Sequence, residues 1–111
     1  MIQRRLDEQS IISASKLLAA MENPKRLAIL RILVEGEMPV GELAQRVGLS
    51  QSALSQHLSK LRNANVVQTR RDAQVIYYFS HSDAVRHILA TLESIFREQP
   101  PVLPSAARSG R

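Results

Sequence analysis

The chain of 111 residues contains no cysteine. That absence removes disulfides, thiolate nucleophiles, zinc–cysteine sites and thiol redox sensing together. No apolar run approaches the roughly 20 residues that cross a bilayer as a helix. The opening stretch MIQRRLDEQS has no apolar h-region, so no signal peptide and a cytoplasmic location are expected. Glycine is sparse, four residues in all, and none builds a phosphate-binding loop. With no cysteine nucleophile and no carboxylate pair that the sequence can place together, an enzyme is not expected. No cofactor is expected either.

What is present is globular in character: 44% hydrophobic and 23% charged residues, enough for one domain with a modest core. The net charge of +5 favours an anionic partner, such as nucleic acid or a membrane surface. No internal repeat is found. The tail REQPPVLPSAARSGR, Arg97 to Arg111, has too little apolar periodicity to fold. The expected division is a folded domain over 1–97 and a disordered tail over 98–111.

Residues from about Asp7 to Met21 read as a first helix, with Ile11, Leu17, Leu18 and Met21 on a rough stripe. In NPKRLAILRILVEG, Asn23 suits an N-cap, Pro24 the first helical position and Gly36 the stop. Leu27, Leu30, Leu33 and Val34 recur there at helical spacing. A short third helix falls near VGELAQRV, and a fourth over GLSQSALSQHLSKLR. NVVQTRRDAQVIYYFS then turns β-branched and aromatic and reads as a hairpin with RRDA at its centre. Tyr77 and Tyr78 alternate, so one should pack inward and the other face out. A last helix starts near SHSD, where Ser80 and Asp83 resemble a capping box. Val85, Ile88, Leu89, Leu92, Ile95 and Phe96 form its apolar stripe. The expected fold is mostly α with a β-hairpin wing: a winged helix-turn-helix in the order α-α-α-α-β-β-α.

The fourth helix carries the functional signal. On a wheel of roughly 100° per residue, Leu58 and Leu61 lie within about 40° of Leu54. These three leucines are the expected buried side. Ser52, Ser55, Gln56, Ser59 and Asn63 fall on the opposite half, with Lys60 near its edge, and Ser50 suits the N-cap. Glutamine can bond adenine bidentately, and serine can meet donor or acceptor base edges. Short side chains let the helix sink into a major groove about 12 Å wide. Lys60 and Arg62 would meet phosphates, which position a protein without specifying sequence. His57 flanks the leucine stripe and reads better as a support for this helix than as a base contact.

A polar face meant only for water would explain Ser and Gln by themselves. Charge separates the two readings. Between Glu42 and Asp72 no acidic residue occurs, while Arg46, Lys60, Arg62, Arg70 and Arg71 do. An element that lies among phosphates must exclude carboxylates over such a length, because each would repel the duplex. Candidate DNA contacts are therefore Gln51, Ser52, Ser55, Gln56, Ser59, Lys60 and Arg62, with Arg70, Arg71 and Gln74 at the wing.

The pattern LSQSALSQHLSKLR, then a hydrophobic strand, then RRDAQ.IYY, resembles the ArsR/SmtB family of bacterial winged-helix repressors over roughly residues 18 to 95. The resemblance implies a homodimer packed through its first and last helices, here through Leu17, Leu18, Met21, Val85, Leu89, Leu92 and Phe96. The residues agree, since a domain this small can hardly bury both apolar stripes by itself. It further implies a palindromic double-stranded DNA operator and a bacterial, cytoplasmic, nucleoid-associated protein.

The family's usual sensors are not matched. Where an arsenic-type site carries a Cys-x-Cys pair, this chain reads EGEMPVGELA, with Pro39 and Gly41 in place of the thiols. The other common site takes Asp, His, His and Glu from the last helix. Here Asp83 and His87 are too far apart for the family's Asp-x-His, and Glu93 has no second histidine beside it, so no metal is expected. The leading expectation is a sequence-specific, dimeric DNA-binding repressor without a metal or thiol sensor. The competing one is a winged-helix protein-interaction module.

Overall fold

The computed structural model describes residues 5–98. The expected tail, 98–111, lies beyond these residues except for the backbone of Glu98. The elements run α1 (Glu8–Met21), α2 (Pro24–Leu33), β1 (Met38–Pro39), α3 (Val40–Val47), α4 (Gln51–Asn63), β2 (Gln68–Asp72), β3 (Val75–Phe79) and α5 (Asp83–Glu98). No helix among the described residues is long and apolar enough to cross a membrane.

Local chemistry sets most helix starts. Asp7 caps α1 by accepting from the Ser10 amide at 2.8 Å. Asn23 accepts from the amides of Lys25 and Arg26 at 2.8 and 3.1 Å, and Pro24 stands where no amide is needed. Ser50 caps α4 by accepting from Ala53 at 3.1 Å. Gly48 ends α3 at φ 71°, in the left-handed region, and Leu49 then donates to the Ala44 carbonyl at 3.0 Å. Gly48, Leu49 and Ser50 are thus the whole turn of the helix-turn-helix.

Two expected boundaries move. Gly36 is not the stop of α2, which ends at Leu33 with Val34 in ordinary right-handed geometry (φ −72°, ψ −21°). The bonds from Val34 to Leu30 and from Glu35 to Ile32 close that end without a left-handed residue. Nor does Ser80 cap α5. It is fully buried, and its hydroxyl donates to the Val66 carbonyl at 2.6 Å, satisfying an acceptor that would otherwise be stranded. Ser82 takes over as cap and accepts from Val85 at 3.1 Å.

The sheet has three antiparallel strands in the order β1-β3-β2. The expected hairpin is β2 and β3, joined through Ala73 and Gln74 past the Asp72–Val75 pair. Strand β1 was not expected; two residues are too short to show a period, and only pairing with Tyr77 and Tyr78 defines it. Ala73 takes φ 58° in the turn.

The core joins all the helices. Ile29, Leu30 and Leu33 of α2, Leu43 of α3, Leu54, Leu58 and Leu61 of α4, and Val85 of α5 are each at most 2% exposed. Burying each such side chain contributes roughly 1.5–3 kcal/mol. Met21, Val66 and Val67 close the cluster. Outside it stand Ile11, Ile12 and Leu18 on α1 and Ile95 and Phe96 on α5, all 45–54% exposed.

Gly48→Ala should destabilise the domain by about 1–2 kcal/mol, because a Cβ is disfavoured at this φ. Chemical denaturation should show a lower midpoint with an unchanged slope.

Candidate nucleic-acid interface

Helix α4 turns Leu54, Leu58 and Leu61 inward, and these are 0, 2 and 0% exposed. Its other side is bare. Gln51, Ser52, Ser55, Gln56, Ser59, Lys60, Arg62 and Asn63 are all exposed. Gln51 reaches back to α3, its amide nitrogen lying 3.8 Å from where a Cβ on Gly41 would stand.

Two consecutive residues of α2 hold the motif from behind, one at α3 and one at α4. Lys25 donates to the Val47 carbonyl at 2.6 Å, placing a cation at the C-terminus of α3, where the helix dipole favours it. Arg26 is buried, at 9% exposure. Its Nε donates to the Ala20 carbonyl at 2.6 Å, and its Nη1 lies 3.2 Å from His57 Nδ1. A guanidinium only donates, so Nδ1 must accept and the ring proton sits on Nε2. Burial, followed by the nearby charges of Arg26, Lys60 and Lys25, holds His57 below its ordinary value of 6.5. His57 is therefore the supporting residue that its place on the wheel indicated. Arg26 had no such signal, since its partner lies 31 residues away.

The two wing arginines part company. Paired residues of adjacent antiparallel strands share a face, and faces alternate along each strand. Arg70 pairs with Tyr77 and so shares its face, whereas Arg71 pairs with Ile76 and shares the face of Tyr78, which packs on the core. Arg70 is engaged: its Nε and Nη2 donate to the Glu37 carboxylate at 2.6 and 2.5 Å, and its guanidinium lies 4.5 Å from the centre of the Tyr77 ring. The hydrogen bonds from Arg70 hold the Glu37 carboxyl below its usual value, and Glu37 raises the Arg70 pKa in turn. Arg71 and Gln74 are exposed, and no described side chain hydrogen-bonds Arg71. The structure thus gathers the α4 residues on one face, leaves Arg71 and Gln74 on the outer wing, and gives Arg70 an acidic partner that the acid-free interval concealed.

The expected dimer residues also divide. Met21 and Val85, at 3 and 0% exposure, belong to the core of the single chain and are not available to a partner. The reason is position: Met21 ends α1 where it meets α2, and Val85, in the first turn of α5, lies in the common core. Leu17, Leu89 and Leu92 are half-buried, and Leu18 and Phe96 are exposed.

A three-helix unit with a three-residue turn, a bare polar second helix and a β-wing defines a winged helix-turn-helix transcriptional regulator. The chain belongs to the arsR family of bacterial regulatory proteins, whose model matches residues 23–69. It is 60% identical over 100 residues to the nodulation protein NolR of Rhizobium meliloti, covering 84% of this chain and 82% of the relative. It is 44% identical over 89 residues to the transcriptional activator HlyU of Vibrio cholerae, covering 80% and 82%. The crystal structure of NolR from Sinorhizobium fredii superposes with a TM-score of 0.77 at 57% identity, covering 85% of this chain and 97% of that one.

If Glu37 withholds Arg70 from phosphates, Glu37→Ala should steepen the fall of duplex affinity with salt, by up to about one unit of log–log slope per protomer. Fluorescence anisotropy across a salt series measures it; an unchanged slope would mean that Arg70 does not reach DNA when released.

Proposed function

We propose that the protein is a sequence-specific repressor that binds double-stranded DNA as a homodimer. One observation carries the reading: α4 presents an unbroken exposed row of Ser52, Ser55, Gln56, Ser59 and Asn63, inside an interval without a carboxylate. The row enters the major groove. Gln56 and the serines meet base edges, Lys60 and Arg62 meet phosphates, and Arg71 and Gln74 contact the backbone from the wing. The α4 N-terminus, with its amide capped by Ser50, adds a partial positive charge on the same side.

The dimer is supported by the apolar surface that one chain leaves uncovered. Leu18 on α1 and Phe96 on α5 are 54 and 53% exposed, and Ile11, Ile12 and Ile95 lie on the same two helices. Exposed apolar side chains in such number mark an interaction face. Two-fold pairing places two recognition helices about one turn of DNA apart, so the operator should have dyad symmetry. Such a protein works in the cytoplasm, at the nucleoid. Because HlyU is named an activator, the sign of regulation depends on where the operator sits; repression follows when the dimer occludes the promoter.

Selection of bound duplexes from random sequence tests this reading. A dyad with half-sites one helical turn apart is expected, and an asymmetric single site would overturn the symmetric dimer. On the selected operator, Gln56→Ala should cost roughly 1–3 kcal/mol and relax preference at one base position per half-site. Arg71→Ala should instead weaken binding to every duplex alike and lower the salt slope by about one per protomer. Both are read by anisotropy titration against operator and scrambled DNA.

A further inference from the structure

We propose that Arg26 is a positioning residue for operator reading, and that the Arg26–His57 pair is a proton-sensitive joint between α1 and the recognition helix. The inference rests on the DNA-binding reading above and goes beyond it.

The geometry is specific. One buried guanidinium bonds the last turn of α1, at the Ala20 carbonyl, and the middle of α4, at His57 Nδ1, while its own backbone belongs to α2. Three helices meet on one side chain. His57 follows Gln56 directly and lies one turn before Lys60, so whatever turns α4 about the joint turns the reading face with it. Helix α1 carries exposed Leu18 and so belongs to the proposed dimer face. The joint is therefore the one polar contact, among the described residues, that runs by way of a single side chain from that helix to the reading helix.

The joint works in one protonation state. Arg26 cannot accept a hydrogen bond and does not lose its proton. A protonated His57 would turn a second N–H, on Nδ1, toward it. The charged groups acting on His57 are Arg26 and Lys25 of α2 and Lys60 of α4, and Lys16 of α1 lines the cleft beside Lys60. All are cations. Among the described residues no charged group of α3 acts on His57, and the Val47 carbonyl at the end of α3 is taken by Lys25. No carboxylate among these groups offsets an imidazolium, which agrees with the lowered His57 pKa. The sign follows: a histidine whose folded value lies below 6.5 keeps its contact above pH 6.5 and loses it as pH falls from there through the folded value.

The test separates positioning from simple loss of fold. Affinity is measured for the selected operator and for a scrambled duplex of equal length, at fixed salt, at about pH 7.5 and at the lower pH where NMR of the His57 ring shows it protonated in the folded protein. Loss of folded protein lowers both affinities together, whereas loss of positioning lowers their ratio. In the wild type the operator-to-scrambled ratio should fall about tenfold on acidification, with scrambled binding undiminished because His57 gains a positive charge. His57→Asn places Oδ1 where Nδ1 stood and accepts from Arg26 at either pH. It should hold the neutral ratio at both. His57→Leu removes the acceptor and should give the low ratio at both. Arg26→Ala can unfold the chain, so the histidine variants carry the test. A wild-type ratio that stays flat, a His57→Asn ratio that falls like the wild type, or a His57→Leu ratio that stays high overturns the joint. A wild-type protein with no preference for any duplex overturns the DNA-binding reading as well.

Discussion

The recognition helix has to be gripped from one side only. A helix that reads DNA cannot bury its reading face, so everything that orients it must act through the remaining half of its circumference. Leu54, Leu58 and Leu61 supply the apolar part of that grip, closing against α2 and α3. Apolar packing resists removal of the helix but is tolerant of small rotations. The polar bonds from Lys25 and Arg26 add direction, one to the end of α3 and one to the middle of α4. Two consecutive residues of α2 thereby set both helices of the motif relative to each other.

The same economy shapes the rest of the fold. Ser80 spends its hydroxyl on Val66 and its amide on Leu33, joining the sheet, the entry to β2 and the end of α2 at one buried point. Arg86 donates to the Val34 carbonyl at 2.6 Å and ties α5 to the same end of α2. Glu37 holds the wing through Arg70, from a loop that leads into β1. Helix α2 is thus the hub. The elements that would meet DNA and a partner chain, α4, the wing, α1 and α5, are arranged around it with their outer faces left open.

Arg70 and Arg71 show how closely the candidate interface depends on register. They are neighbours in sequence, equally basic and equally exposed in class. The strand sends them to opposite faces, and among the described residues Arg70 alone forms an ion pair, with Glu37. Charge composition over the interval counts both as free cations. The tertiary structure subtracts one of them, because Glu37 lies outside the interval in sequence yet beside it in space. The dimer face changes in the same way. Met21 and Val85 belong to apolar stripes and are spent on the core of one chain, so the surface left for a partner is carried by residues further along each stripe.

What was legible in the sequence was local. The three-leucine side of α4, the caps at Asn23 and Ser50, the proline at the first position of α2 and the hairpin all follow from periods of 3.6 and 2 and from bonds closed within four residues. The exposed polar row of α4 follows from the same period, which is why most of the candidate interface could be drawn beforehand. What only the tertiary structure decided spans long separations: Arg26 with His57 over 31 residues, Arg70 with Glu37 over 33, and β1 against β3 over about forty. Such pairs leave no period in the chain. Their partners are chosen by how the helices pack, and a buried arginine or a two-residue strand acquires its role only once that packing exists.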